Sequence, residues 1–237
     1  MATIMQYWFR LYDALLGRWL LILDYDRTIF DTDQYFRLFK IWLSAVRPDL
    51  LAPLTEAEAA GEFDPFAFVA ERTGQKQSQL MEQFREWLRA NHPAVDLLRS
   101  DARQFLAWAK RQPRLSVVIV TTGTEAHQRF KLSLVPEVAG IPFRIVSGNK
   151  GQHIQDEHFN NSGFGFELCG RAMRRFILID DKRSSLSPIN LLAANTLLIL
   201  IERDDSKPSE DELRRNISPV RDLMEAPALI KQALRRH

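Results

Sequence analysis

Apolar residues along the chain fall into two patterns. Largely apolar runs occur at Trp19–Leu23, Leu115–Val120, Phe143–Val146 (the weakest, with Arg144 inside it), Phe176–Ile179 and Thr196–Ile201. Continuous runs of this length suit strands buried on both faces of a parallel sheet, whereas a half-exposed strand would alternate. Apolar positions at helical spacing follow them, at about 125–134, about 188–194 and about 219–235. Strands alternating with helices predict an α/β fold, a Rossmann-like and mostly parallel sheet with helices on both faces and right-handed crossovers.

The interval from Asp31 to Pro113 breaks this rhythm. It holds no convincing strand and reads as helices. Gln34–Val46 carries Phe36, Phe39, Trp42 and Leu43, and Gln77–Ala90 carries Leu80, Met81, Phe84, Trp87 and Leu88. Asp64 before Pro65 is an N-cap followed by proline at the first helical position, and Gly74 is placed to end that helix. Ser100 or Asp101 opens a further helix with Phe105, Leu106 and Trp108. A simple crossover between parallel strands needs far fewer residues. The expected organisation is a core of residues 1–30 and 114–237 with an all-helical insertion over 31–113. Its aromatic stripes read as hydrophobic core.

Composition narrows the functional classes. The 237 residues contain 46% hydrophobic and 26% charged positions, an ordinary globular mixture. Thirty-two Lys and Arg against 30 Asp and Glu leave a net charge of +2, which is not the footprint of a dedicated nucleic-acid binder. Cys169 is the single cysteine, so internal disulfides and multi-cysteine zinc sites are excluded, and a reducing, cytoplasmic location is expected. No run of 18 apolar residues exists to span a membrane. The aromatic-rich N-terminus, broken by Arg10, Asp13 and Arg18, reads as an amphipathic helix docked on its own domain, with a membrane surface as the alternative.

Candidate chemistry sits where the apolar runs end. The first run ends Asp24-Tyr25-Asp26-Arg27-Thr28, the second Thr121-Thr122-Gly123, and the fourth Asp180-Asp181. In open parallel sheets, ligands bind beyond the carboxyl ends of the strands, so these groups share one edge. Residues i and i+2 of an extended chain face the same side, which presents Asp24 and Asp26 together. Close carboxylates repel unless a cation separates them. Oxygen ligands without histidine or cysteine favour Mg²⁺. One carboxylate is then available as a nucleophile and the other as a general acid and base.

The run Leu21–Thr32, with Asp24-Tyr25-Asp26-Arg27-Thr28 at its centre, resembles the first motif of the haloacid dehalogenase superfamily of hydrolases. Val117–Gly123 is similar to the second motif and Phe176–Asp181 to the fourth. The helical insertion resembles the family's type-1 cap, a lid over the active site. The resemblance implies a Mg²⁺-dependent phosphatase. Asp24 would attack phosphorus to form an aspartyl-phosphate, and Asp26 would protonate the leaving oxygen and then activate water. Asp24, the Asp26 backbone carbonyl, Asp181 and Asp180 would hold the metal. Thr121 would bind a phosphoryl oxygen, with Tyr25, Thr122 and Gly123 completing the phosphate loop. The third motif is a lysine. Lys150 has the expected separation, and Lys131, otherwise a residue on a solvated helix face, is the other candidate. Arg27 stands where the family often has glycine.

A phosphotransferase or mutase would use the same residues, and a non-catalytic binding protein could retain the scaffold. A receiver-type signalling domain also clusters aspartates, threonine and lysine, but in another order and without the insertion. Binding to nucleic-acid ends through Arg171, Arg174 and Arg175 is less economical than a solvated charged face. The expected partner is a small phosphorylated metabolite, because a lid excludes polymer. Gln34, Tyr35, Arg37 and Arg85 are candidate contacts to it. Oligomeric state is left open. His127 has polar neighbours and is expected at the surface, His92, His153 and His158 lack a ligand partner at helical spacing, and Gly163 and Gly165 read as a turn.

Overall fold

Every residue of the first strand, β1 (Trp19–Leu23), is buried, and successive side chains enter different cores. Trp19, Leu21 and Leu23 join a cluster that extends into the helical insertion. Leu20 and Ile22 join a second cluster with Val118, Val120, Leu178 and Ile154. This two-sided burial is the reason the run is continuous rather than alternating. A computed structural model describes residues 18–59, 64–160, 166–168, 171–173, 175–189, 196–203 and 217–235.

The remaining strands are β2 (Leu115–Thr122), β3 (Phe143–Val146), β4 (Phe166–Leu168), β5 (Arg171–Met173), β6 (Arg175–Asp180), β7 (Thr196–Ile201) and β8 (Ile217–Val220). Five of them join β1 in one six-stranded parallel sheet in the order β3-β2-β1-β6-β7-β8, while β4 and β5 pair antiparallel in a separate hairpin. The helices are α1 (Thr32–Val46), α2 (Leu51–Ala59), α3 (Pro65–Thr73), α4 (Gln77–Asn91), α5 (Ser100–Lys110), α6 (Glu125–Ser133), α7 (Lys150–Asn160), α8 (Arg183–Leu186) and α9 (Ala226–Arg235). The α/β architecture and the helical insertion after β1 are those expected from the pattern.

Of the caps in the insertion, Asp64 and Gly74 are those the sequence signals, whereas the first helix starts two residues before the expected Gln34, behind an Asp31 cap. Asp31 accepts the Gln34 amide at 3.1 Å to start α1. Asp64 accepts the Phe66 and Ala67 amides at 3.0 and 3.1 Å ahead of Pro65. Gly74 closes α3 in the left-handed region at φ 70°. The aromatic stripes meet in one core: Phe39 and Phe66 pack edge-to-face at 4.9 Å, and Phe66 meets Phe130 of α6 at 5.2 Å. Such pairs add about 0.5–1.5 kcal/mol each to the burial of the rings.

Three elements differ from the expectation. The stretch read as helix from about 219 begins as β8, and the helix starts only at Ala226. Pro219 is tolerated because β8 is an edge strand, where a missing N–H leaves no ladder bond broken on the open side. α7 and the β4–β5 hairpin were not signalled by any apolar run. The helix expected over about 188–194 lies mostly outside the described residues, as do the N-terminal segment, Cys169, Gly163, Gly165 and Arg174. No helix among the described residues is long and apolar enough to cross a membrane.

Candidate active site

The sheet order creates the site. From β1 the chain moves outward to β2 and β3, then returns to the other side of β1 as β6. Neighbouring connections therefore leave β1 in opposite directions, and a crevice opens beyond the strand ends at that switch point. The register pairs Leu23 with Ile179, and the Asp24 amide donates to the Ile179 carbonyl at 2.9 Å. Asp24 thereby leaves β1 beside Asp180 at the end of β6.

Asp24, Asp180 and Asp181 each offer a carboxylate oxygen within 4.8 Å of the others'. Asp24 and Asp180 are buried, and Asp181 is partly buried. Burial raises the Asp24 carboxyl well above the usual range. Asp180, Asp181 and Asp26 push the same way, against the Lys150 ammonium. Asp181 is likewise raised, by burial and then by Asp180. The Asp181 Oδ1 atom is buried with no hydrogen-bond partner. Three converging carboxylates with an unsatisfied oxygen and no nitrogen or sulfur donor fit a hard divalent cation such as Mg²⁺.

Lys150 and Lys131 both enter the site, at different carboxylates. Lys150, first residue of α7, is buried, donates to Asp180 at 2.6 Å and also hydrogen-bonds Asp24 Oδ1. Burial alone would favour its neutral form, but the two aspartates outweigh it and hold it protonated. Gly151 permits this approach. A Cβ there would lie 1.9 Å from the Ser185 carbonyl oxygen and 3.1 Å from Pro188.

Lys131 is buried rather than on a solvated face, and reaches both Asp26 oxygens at 2.5 and 2.6 Å. Thr32 donates to Asp26 at 2.9 Å and Gln128 at 3.0 Å. Burial pushes the Asp26 carboxyl up, but Lys131 and these hydrogen bonds together hold it below the usual range. The Asp26 side chain thus stands apart from the three-carboxylate cluster. The sequence signal for Lys131 is its position in α6: Gln128 and Lys131, at i and i+3, reach the same carboxylate.

Thr121 is buried at the end of β2, and its Oγ1 has no hydrogen-bond partner. Thr122 offers its carbonyl to Gln128 at 2.6 Å. Gly123 has φ 127°, and a Cβ there would lie 2.8 Å from Gln128 Nε2, so only glycine fits the turn. Tyr25 is fully buried. Its hydroxyl donates to the Lys131 carbonyl at 3.0 Å and its ring stacks on Phe30 at 5.1 Å, so any phosphate contact would come from its backbone. Arg27 adopts the left-handed region at φ 59° and points outward to Asp33 at 3.3 Å.

His127 corrects the surface expectation. The polar neighbours in sequence lie along α6, but the ring is buried between α1 and α3, with Nε2 3.0 Å from the Tyr35 hydroxyl and Nδ1 3.9 Å from Asp64. Burial, then Lys131, lowers its pKa to about 4, against Asp64 and Asp26. Asp64 also accepts from Thr124 at 2.5 Å and Gln77 at 2.7 Å. Side chains of the insertion and of α6 are therefore clasped by polar contacts beside the acidic cluster.

A cavity of about 1490 Å³ opens over these groups. Its walls include Asp24, Asp26, Gly123, Lys150 and Asp181 from the strand-end edge, and Phe36, Arg37, Lys40 and Ile41 from α1. Of the suggested substrate contacts, Arg37 lines it. Tyr35 is spent on His127, Gln34 lines only a smaller cavity that Arg37 and Ile41 also border, and Arg85 binds Glu82 and Ser133.

No protein-family profile matches the sequence, and no curated protein is similar to it. Solved structures do resemble the fold. A haloacid dehalogenase-like hydrolase from Burkholderia xenovorans has a TM-score of 0.56 at 14% identity, covering 92% of this chain and 99% of that one. A haloacid dehalogenase-like family hydrolase from Xanthomonas campestris has a TM-score of 0.51 at 19% identity, covering 93% and 95%. A dehalogenase crystallised as an intermediate complex has a TM-score of 0.50 at 14% identity, covering 90% and 97%. Likeness over nine-tenths of the chain at such identities speaks to architecture, and in architecture this chain has the haloacid dehalogenase-like hydrolase fold.

Proposed function

We propose that the protein is a Mg²⁺-dependent phosphatase acting on a small phosphate monoester through an aspartyl-phosphate on Asp24, with the helical insertion as its cap. The observation that carries this reading is the convergence of Asp24, Asp180 and Asp181 at the sheet's switch point, with Lys150 bridging Asp24 and Asp180. A divalent cation held by those carboxylates would neutralise charge on the phosphoryl group.

The remaining steps belong to the chain's own residues. An Asp24 oxygen bonds to phosphorus while the bond to the leaving oxygen breaks, and Asp26 delivers a proton to that oxygen. Water then attacks phosphorus, Asp26 takes its proton, and Asp24 is released with inorganic phosphate. Lys150 faces the charge that builds on Asp24 and the phosphoryl oxygens, and Thr121 supplies a neutral donor. Lys131 keeps Asp26 ionised at rest, which suits the water-activating half. An entering phosphate dianion raises the proton affinity of Asp26 and so prepares the first half. Asp26 also favours phosphate esters over carbon–halogen bonds, because a halide leaves without a proton.

Hydrolysis of para-nitrophenyl phosphate tests the reading. Turnover should require Mg²⁺, stop with EDTA, and fall by about a thousandfold or more in Asp24→Asn and by about a hundredfold or more in Asp26→Asn. Turnover unaffected by EDTA or by Asp24→Asn would contradict it.

A further inference from the structure

The cavity above the acidic cluster runs along α1. Thr32, at the start of α1, bonds to Asp26 at 2.9 Å, so this end of the helix is fixed at the reacting groups. Phe36, Lys40 and Ser44, four residues apart, continue the same wall, with Arg37 and Ile41, also four apart, one position further round the helix. With a rise of about 1.5 Å per residue, Arg37 lies about 7.5 Å beyond Thr32 along the axis. The wall therefore suits an elongated ligand with one end at Asp24.

The cations on that wall are unequal. Arg27 meets Asp33 at 3.3 Å, Lys40 meets Glu58 at 2.5 Å, Lys131 holds Asp26, and Lys150 holds Asp24 and Asp180. Lys182 also interacts with neighbouring groups. Arg37 lines the same cavity with no carboxylate beside it among the described residues. Arg37 is exposed, and Phe36 and Ile41 line the same wall beside it on α1. A planar cation in that position matches a second anionic group, phosphate or carboxylate, bidentately.

Building on the phosphatase reading, we infer that Arg37 is a specificity-determining residue, and that the substrate is a phosphate monoester carrying a second anionic group about 7–10 Å from the phosphorus. The spacer between the two anions lies against Phe36 and Ile41. Arg37 touches only the distal group and takes no part in the chemistry, so simple esters lacking that group do not depend on it.

Calorimetric binding to the full chain with Mg²⁺ tests this without requiring turnover. The probes are alkylphosphonates with about four to six carbons, whose extended length spans that separation, each compared with its α,ω-bisphosphonate and its ω-carboxy counterpart. A second anion should tighten binding by about tenfold at a preferred chain length. The relative gain of phosphonate and carboxylate tells which distal group is read. Arg37→Gln should erase the gain and leave the simple alkylphosphonates unchanged, and Arg37→Lys should recover part of it. If simple alkylphosphonates bind and the second anion gives no gain, or a gain that survives Arg37→Gln, this inference is overturned and the phosphatase reading stands. If no phosphonate binds with Mg²⁺ present, both fall.

Discussion

Lys131 and His127 sit four residues apart on α6, and both look like solvated polar residues in the sequence. Both are buried: the insertion folds down over the helix and gives His127 its partners Tyr35 and Asp64, while the chain leaving β1 gives Lys131 its partner Asp26. Periodicity within one element cannot register partners that arrive from residues distant in sequence. Asp24, Asp26, Thr121 and Asp180-Asp181 were legible for the opposite reason: each is polar directly after an apolar run, where packing gives no cause for it. The buried histidine has a measurable consequence. Its folded-state pKa of about 4 lies below the ordinary 6.5, so between those values the unfolded chain binds the extra proton. The neutral ring's contribution is complete above pH 6.5 and is lost as pH falls toward 4. Up to about 3 kcal/mol is at stake. The melting temperature of the wild type should therefore fall relative to His127→Gln over that window, and parallel profiles would contradict the burial described here.

At the scale of elements, strands buried on both faces were the most readable and short or edge elements the least. The five apolar runs all became strands of the main sheet. β8 escaped because its four residues, Pro219 among them, run straight into the helical spacing that follows, and only its edge position makes a proline acceptable there. α7 escaped because it is polar and because its first residues look like a loop, Ser147-Gly148-Asn149-Lys150-Gly151. Yet that start is what delivers Lys150. Gly151 lets α7 approach the Ser185 carbonyl closer than any side chain allows. Gly151→Ala should destabilise the fold by about 1–3 kcal/mol, as overpacking does, and should lower activity more than stability alone accounts for, by displacing Lys150. A variant with wild-type melting temperature and wild-type turnover would show that the contact relaxes at no cost.

Across the whole molecule, sequence pattern placed the chemistry on one sheet edge but could not order the strands. Parallel strands with helical crossovers can be arranged in several orders with the same local signals. The observed order puts β1 between β2 and β6, and that adjacency turns separate polar strand ends into one cluster of Asp24, Asp180 and Asp181. The insertion completes the enclosure: its aromatic core reaches Phe130, and its Tyr35 and Asp64 hold His127 and Thr124. The helical run between Asp31 and Pro113 was legible, whereas its polar contacts with α6 depend on pairs far apart in the chain.

The central claim is that Asp24, beside a divalent cation, accepts a phosphoryl group. The most direct measurement is thermal stabilisation by beryllofluoride, which mimics a phosphoryl group on an aspartate and needs no knowledge of the substrate. Bound ligand at about a hundred times its dissociation constant stabilises by about 2.7 kcal/mol, a rise on the order of 5 °C or more for a chain of this size. That rise is expected only when Mg²⁺ and beryllofluoride are both present, with its loss in Asp24→Asn and its retention in Asp26→Asn. No rise in the wild type, or a rise that persists in Asp24→Asn, would contradict it.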